Sequence, residues 1–213
     1  KDAKGVLLGP DGVFENLPEG GVHFDLSTLD IETVVMLEAE AAKLGKKYLV
    51  IPMGKGPAFA ADGTCPLFGG TYDKYEECLL KKMGKPAYIG DVKAGCALKL
   101  IQNLMGMSIN AVCSESIKLA KLANIPKEQF IEQISNSGAF SFQFKNTASG
   151  TFDEDFEHPV FTVNLAFKDV RLGIEMCESF GQRVPMMSRA REVFAATAEK
   201  YGEENFTATF KML

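Results

Sequence analysis

The sequence predicts two structural classes in one chain: an α/β segment, then an all-α domain built on one long central helix. Three observations carry this. Over the first ninety residues, strand-like and helix-like segments alternate at the spacing of βαβ units. After Gly90 no convincing strand remains. Residues 94–113 then form a run so apolar all round that a surface helix is excluded, and a helix of that kind is expected to be buried.

The elements follow in order. Residues 21–27 alternate apolar and polar side chains as a strand does. Thr28, Asp30 and Glu32 then mark a helix start, and the helix runs to Leu44 and stops at Gly45. Residues 47–51 read as a second strand ended by Pro52, followed by a glycine-rich loop at 53–57. Residues 65–68 form a short strand, expected at an edge because Pro66 has no N–H for a ladder. A helix over 73–83 and a strand over 86–89 complete the α/β segment. The central helix is expected from about residue 92 to 123, where Asn124 and Pro126 end it. Further helices are expected over 127–135, 161–180 and 186–201, with a closing helical segment over 203–213 that carries Phe206 and Phe210. Residues 138–150, rich in phenylalanine, read as a loop or broken helix.

Within the central helix, Lys99, Asn103, Met107 and Asn110 form one stripe, because residues three and four apart share a face, and Gly106 lies beside it. The stripe is short on bulk and rich in hydrogen-bonding groups. An ammonium is costly to desolvate, so Lys99 either snorkels to water or is held for a purpose. The length of the run suits a membrane span. Lys99, Gln102, Asn103 and Asn110 inside it would each be expensive in hydrocarbon, so a central helix away from lipid is expected.

Composition narrows the remaining classes. The chain has 213 residues, 46% hydrophobic and 24% charged, and a net charge of -5. Such an acidic chain, with no basic stretch, is unsuited to nucleic acid. Five scattered cysteines point to reduced, mostly buried thiols and a cytoplasmic setting. His23 and His158 are too few and too far apart for an ordinary zinc site. No secretory leader pattern opens the sequence.

Four segments fall in one order: Asp25, Leu26, Ser27 and Thr28; Gly56 through Gly63 and Thr64 to Gly69 and Gly70; Gly95 with Lys99 and Asn103; and Phe167, Lys168 and Asp169. In this order and at these separations the chain resembles the β-hydroxyacid dehydrogenases, the family of 3-hydroxyisobutyrate dehydrogenase and tartronate semialdehyde reductase, over residues 5–213. The resemblance implies an oxidoreductase that moves hydride between NAD or NADP and a small 3-hydroxy acid or its semialdehyde. It implies a partial Rossmann domain over 1–91 and an all-helical substrate and dimerisation domain over 92–213, similar to that of 6-phosphogluconate dehydrogenase.

Residue roles follow from the same resemblance. Lys99 would be the general acid/base that exchanges a proton with the substrate oxygen, where hydride transfer builds charge. Asn103, Gly54, Lys55, Gly56 and Ser27 would hold the substrate, and Thr28, Gly95 and Lys168 would touch the cofactor. Ser27 and Thr28 also suit a helix N-cap, and Lys168 also suits a surface lysine paired with a neighbouring acid.

The departures are informative. Where the family has a serine and a glycine in its substrate-carboxylate loop, this chain has Gly54 and Lys55, and the added cation predicts a substrate with a second acidic group. The first glycine of the family's helix motif is Lys93. The Gly-x-Gly-x-x-Gly turn that holds a pyrophosphate is not found in these residues. The expectation is therefore the C-terminal part of a longer enzyme, inactive as a fragment. Two alternatives stay open: a glyoxylate or semialdehyde reductase of the same fold, and a non-catalytic oligomerisation module. Assembly as a homodimer or homotetramer is expected in either case, with Phe206, Phe210, Met212 and Leu213 as a candidate apolar tail.

Overall fold

Residues 2–213 are described in a computed structural model. Two short helices that the sequence pattern does not predict come first: α1 (Asp2–Leu7) and α2 (Val13–Asn16), which bury Leu7 and Phe14 respectively. Strand β1 (Val22–Asp25) pairs in parallel with β2 (Lys47–Val50), with His23 opposite Tyr48 and Asp25 opposite Val50. Helix α3 (Ile31–Lys43) makes the crossover. It starts where Asp30 Oδ1 accepts the Thr33 N–H at 2.7 Å and stops before Gly45, whose φ of 64° is left-handed and suits glycine.

The second βαβ unit repeats the pattern. A five-residue helix, α4 (Pro57–Ala61), precedes β3 (Pro66–Gly69), and α5 (Lys74–Met83) leads to β4 (Lys85–Tyr88), parallel to β3. Asp73 and Glu76 close a reciprocal capping box at the start of α5. The two ladders are joined by an antiparallel bridge from Met53 to Leu67, with Gly54 N–H donating to Pro66 O at 2.8 Å and Phe68 N–H to Pro52 O at 3.0 Å. Strand β3 is therefore flanked on both sides, contrary to the edge expected for it. Pro66 stands at its first residue, where a missing N–H is tolerated. Both faces of β2 are buried: Tyr48 and Val50 belong to one apolar cluster, Leu49 and Ile51 to another. That is why 47–51 reads as a continuous apolar run.

Helix α6 (Val92–Leu122) begins the helical part, followed by α7 (Lys127–Ser135), α8 (Phe142–Phe152), α9 (Val163–Ser179), α10 (Pro185–Tyr201) and a 3-10 helix, Phe206–Met212. Among the described residues this part has no strand, only a single bridge between Thr162 and Asn205. The chain divides into two compact units inside α6: the first ends at Leu100 and the second is Ile101–Leu213.

Three expectations are corrected in the helical part. Residues 142–152 are a regular helix rather than a broken one, because Ser141 caps it by accepting the Phe144 N–H at 3.0 Å and Phe144 packs edge-on against Phe130. The apolar tail is divided: Phe206 and Phe210 are buried in the core of the second unit, with Phe156, Phe161 and Ile117 as members or neighbours of that core, while Leu213 is exposed. Finally, α6 is not covered on every side. Ile101, Met105 and Val112 are 47%, 53% and 60% exposed, and Leu119 is exposed as well. No helix among the described residues is long and apolar enough to cross a membrane.

Candidate functional site

Three places in the first unit carry the candidate residues. The first is the turn after β1. Asp25, at the strand's last position, is buried, and its Oδ1 accepts the Ser27 N–H at 2.9 Å. This closes a side-chain turn over two residues and leaves the Ser27 side chain exposed with Thr28 half-buried beside it. Neither hydroxyl caps α3, because Asp30 does. The N-cap alternative for Ser27 and Thr28 is thereby removed. Asp25 Oδ2 accepts from the Tyr48 hydroxyl at 2.8 Å.

The second place is the loop after β2. Gly54 is buried, and an added Cβ there would stand 3.0 Å from the Phe68 ring, so its missing side chain serves packing. Its N–H is spent on Pro66 O, so that donor is not available to a substrate carboxylate. Lys55 is exposed and takes a left-handed φ of 62°, the conformation a glycine would adopt without strain. Its Nζ lies 4.2 Å from the Phe59 ring centroid. Gly56 is the extended residue ahead of α4.

The third place is the start of α6. Lys99 is only 8% exposed. One turn earlier Gly95 faces β3 so closely that a Cβ would approach Phe68 O to 2.8 Å. Gly95 is thus required by helix-on-strand packing, a role distinct from the cofactor contact expected of it. Cys96, also buried, donates its thiol to Leu29 O at 3.5 Å, and burial, followed by the charges of Asp30 and Asp25, pushes that thiol up to about 12, so it stays protonated. Lys93 is exposed.

In the second unit, Asn103 Nδ2 donates to Asp169 Oδ2 at 2.5 Å, and Lys168 Nζ stands 3.1 Å from Asp169 Oδ1. Asp169 is buried while Lys168 is 41% exposed along its side chain. Lys168 is therefore ion-paired with its neighbour, as the surface-lysine alternative had it, while retaining exposed length. Asp169 orients the Asn103 amide. Further along the stripe, Asn110 is enclosed and donates to Thr209 Oγ1 at 3.3 Å, and Ser114 shares the same hydroxyl at 3.1 Å. That end of the stripe anchors the C-terminal 3-10 helix instead of widening a polar site.

Asp25 and Asp169 lie inside the sequence motifs without a role that the motifs assign, and Tyr48 and Cys96 lie outside them. An Asp two residues before Ser is a local turn signal that could have found Asp25. Nothing local marks Tyr48, whose partner lies 23 residues away. Two surface cavities, of about 270 Å³ beside Leu7 and Phe14 and about 350 Å³ beside Ile174 and Arg183, are lined by none of the candidate residues.

Comparison with known proteins agrees with this frame. The family described as the NAD-binding domain of NADP-dependent 3-hydroxyisobutyrate dehydrogenase matches residues 94–213, and the NAD-binding domain of 6-phosphogluconate dehydrogenase matches residues 1–97. The cytokine-like nuclear factor N-PAC of Xenopus tropicalis is 28% identical over 99% of this chain, and the chain spans 40% of that relative's length. The 3-sulfolactaldehyde reductase of Escherichia coli is 26% identical over 99% of the chain and 72% of the relative. The crystal structure of a 3-hydroxyisobutyrate dehydrogenase from Salmonella typhimurium superposes with a TM-score of 0.91, covering 100% of this chain and 75% of that one at 23% identity, a likeness of fold. The chain belongs to the β-hydroxyacid dehydrogenase family. Its cofactor class is NAD or NADP.

Proposed function

We propose that the chain carries the proton-transferring and substrate-holding residues of a dehydrogenase or reductase acting on a small 3-hydroxy acid or its semialdehyde. The observation behind this is Lys99, a lysine only 8% exposed at the start of a long helix. A buried cation at such cost is the kind of group enzymes keep to answer developing negative charge. When bound, the nicotinamide supplies or accepts the hydride at the substrate carbon. Lys99 Nζ gives a proton to the carbonyl oxygen in reduction and takes it back from the hydroxyl in oxidation. Asn103, oriented by Asp169, donates to the substrate without adding charge. Ser27 meets the substrate and Thr28 the cofactor at the end of β1, where ligands of parallel α/β sheets bind.

The residues present suit part of the cofactor. The exposed Ser27, the half-buried Thr28 beside it and the exposed length of Lys168 are of the right chemistry for its polar and phosphate groups. Lys55, exposed and held in a backbone conformation that costs a non-glycine residue about 1 kcal/mol or more, is proposed to meet a second acidic group on the substrate. The apolar stripe of Ile101, Met105, Val112 and Leu119 supports assembly as a homodimer or homotetramer, which light scattering measures directly.

The test is turnover by the full-length protein of NADH and NADPH against semialdehydes, and of NAD and NADP against mono- and dicarboxylic 3-hydroxy acids. Preference for the doubly acidic substrates, lost in Lys55→Gly, is the expected result, and equal rates on both sets remove the Lys55 role. The relation to N-PAC favours one second reading, a non-catalytic interaction module. Nucleotide binding without turnover on any substrate of the panel, or no nucleotide binding at all, would support that module instead.

A further inference from the structure

The turn that presents Ser27 and Thr28 is held at both ends by buried side chains. At its start, Asp25 is 6% exposed and spends one carboxylate oxygen on the Ser27 N–H and the other on Tyr48. At its end, the Cys96 thiol holds Leu29 O, tying the turn to the same helix that carries Lys99 three residues on. Tyr48 is 4% exposed. It reaches Asp25 across the ladder as the diagonal neighbour, since its direct partner is His23. Its ring is fixed by Phe14 edge-on at 5.3 Å and by His23 stacked at 5.9 Å with an interplanar angle of 5°. These contacts hold the phenol against the carboxylate, whose Oδ2 takes its hydrogen bond from that hydroxyl.

An apolar side chain would fill the end of β1 at lower cost than a carboxylate. The carboxylate at this position instead sets the path of the turn through the oxygen that accepts the Ser27 N–H. We propose that Tyr48 and Asp25 are positioning residues that pre-organise Ser27 and Thr28 for the nicotinamide cofactor and its substrate. This rests on the reading of Ser27 and Thr28 as ligand contacts. Tyr48 touches no ligand; it acts through Asp25, and Asp25 through the Ser27 N–H.

The experiment is fluorescence titration of the full-length protein with NADH and NADPH, alongside thermal melting, for Tyr48→Phe, Asp25→Ala, Asp25→Asn and Thr28→Val. Tyr48→Phe keeps the packed ring and removes only the hydroxyl. It is expected to raise the nucleotide Kd about tenfold, the effect of one buried hydrogen bond. Asp25→Ala is expected to do at least as much. Asp25→Asn keeps an oxygen for the Ser27 N–H and places an amide against the Tyr48 hydroxyl, so it is expected to stay within about twofold of the parent. A purely structural role would lower the melting temperature of these variants without this ordering of Kd values. A parental Kd in Tyr48→Phe, with Thr28→Val weakened, overturns the inference and leaves the ligand reading standing. A parental Kd in both, or a parent that binds neither nucleotide, overturns both. Should Asp25→Ala fail to fold, the comparison of Tyr48→Phe with Asp25→Asn decides.

Discussion

At the scale of single residues, two side chains bear the weight of the functional reading, and they make separable predictions. Lys99→Met keeps the length of the stem and removes the ammonium. It is expected to lower kcat by roughly 10²- to 10⁴-fold while leaving the nucleotide Kd unchanged, the ordinary size of a lost acid/base. Steady-state kinetics with a parallel binding titration checks this, and a loss confined to binding would move Lys99 out of the proton-transfer role. Asp169→Ala leaves Asn103 without its acceptor. The expected outcome is a raised KM for the acid substrate, about tenfold, with Lys99 chemistry intact. Lys99 and Asn103 were legible in the sequence because they interrupt an apolar run one turn apart. Asp169 was visible only as the neighbour of Lys168, since its partner Asn103 lies 66 residues away.

At the scale of elements, helix ends and strand contacts set where the site residues stand. Helix α5 begins with a capping box, so Asp73→Ala should lower the midpoint of a urea unfolding curve. Gly95 lets α6 lie against β3, and Gly95→Ala should cost about 1–3 kcal/mol because the new methyl meets the Phe68 carbonyl, a backbone atom that cannot rotate away. If stability is unchanged but nucleotide binding weakens, Gly95 is a cofactor contact after all. Caps and left-handed glycines such as Asp30, Asp73 and Gly45 were readable locally, since their chemistry is confined to a few residues. The helix at 142–152 was not readable, because its aromatic side chains become a helix face only when Phe130 and the core accept them.

At the scale of the whole molecule, buried thiols link stability to pH. Burial raises Cys113 from its usual 9.0 to about 11, and burial with nearby carboxylates raises Cys96 from 9.0 to about 12. Burial and Asp25 push the Tyr48 phenol upward as well. Each folded-state value lies above the unfolded one, so the folded chain binds more protons above pH 9. Stability is full below that point and falls as pH rises through about 11 and 12. Urea midpoints measured from pH 7 to 12 should decline above pH 9, and Cys113→Ala should make the decline shallower.

The sequence by itself determined the order of the four strands and the longer helices between them, the change from α/β to all-α, the long helix and the unusual lysine within it. Periodicity, caps and composition are local properties, and family motifs preserve them. Tertiary structure alone decided that β3 is flanked, that Phe206 and Phe210 are core, that one face of α6 is open, and that Tyr48 serves Asp25. Each of those depends on partners brought together from distant positions, and no short window of sequence contains both halves of such a contact.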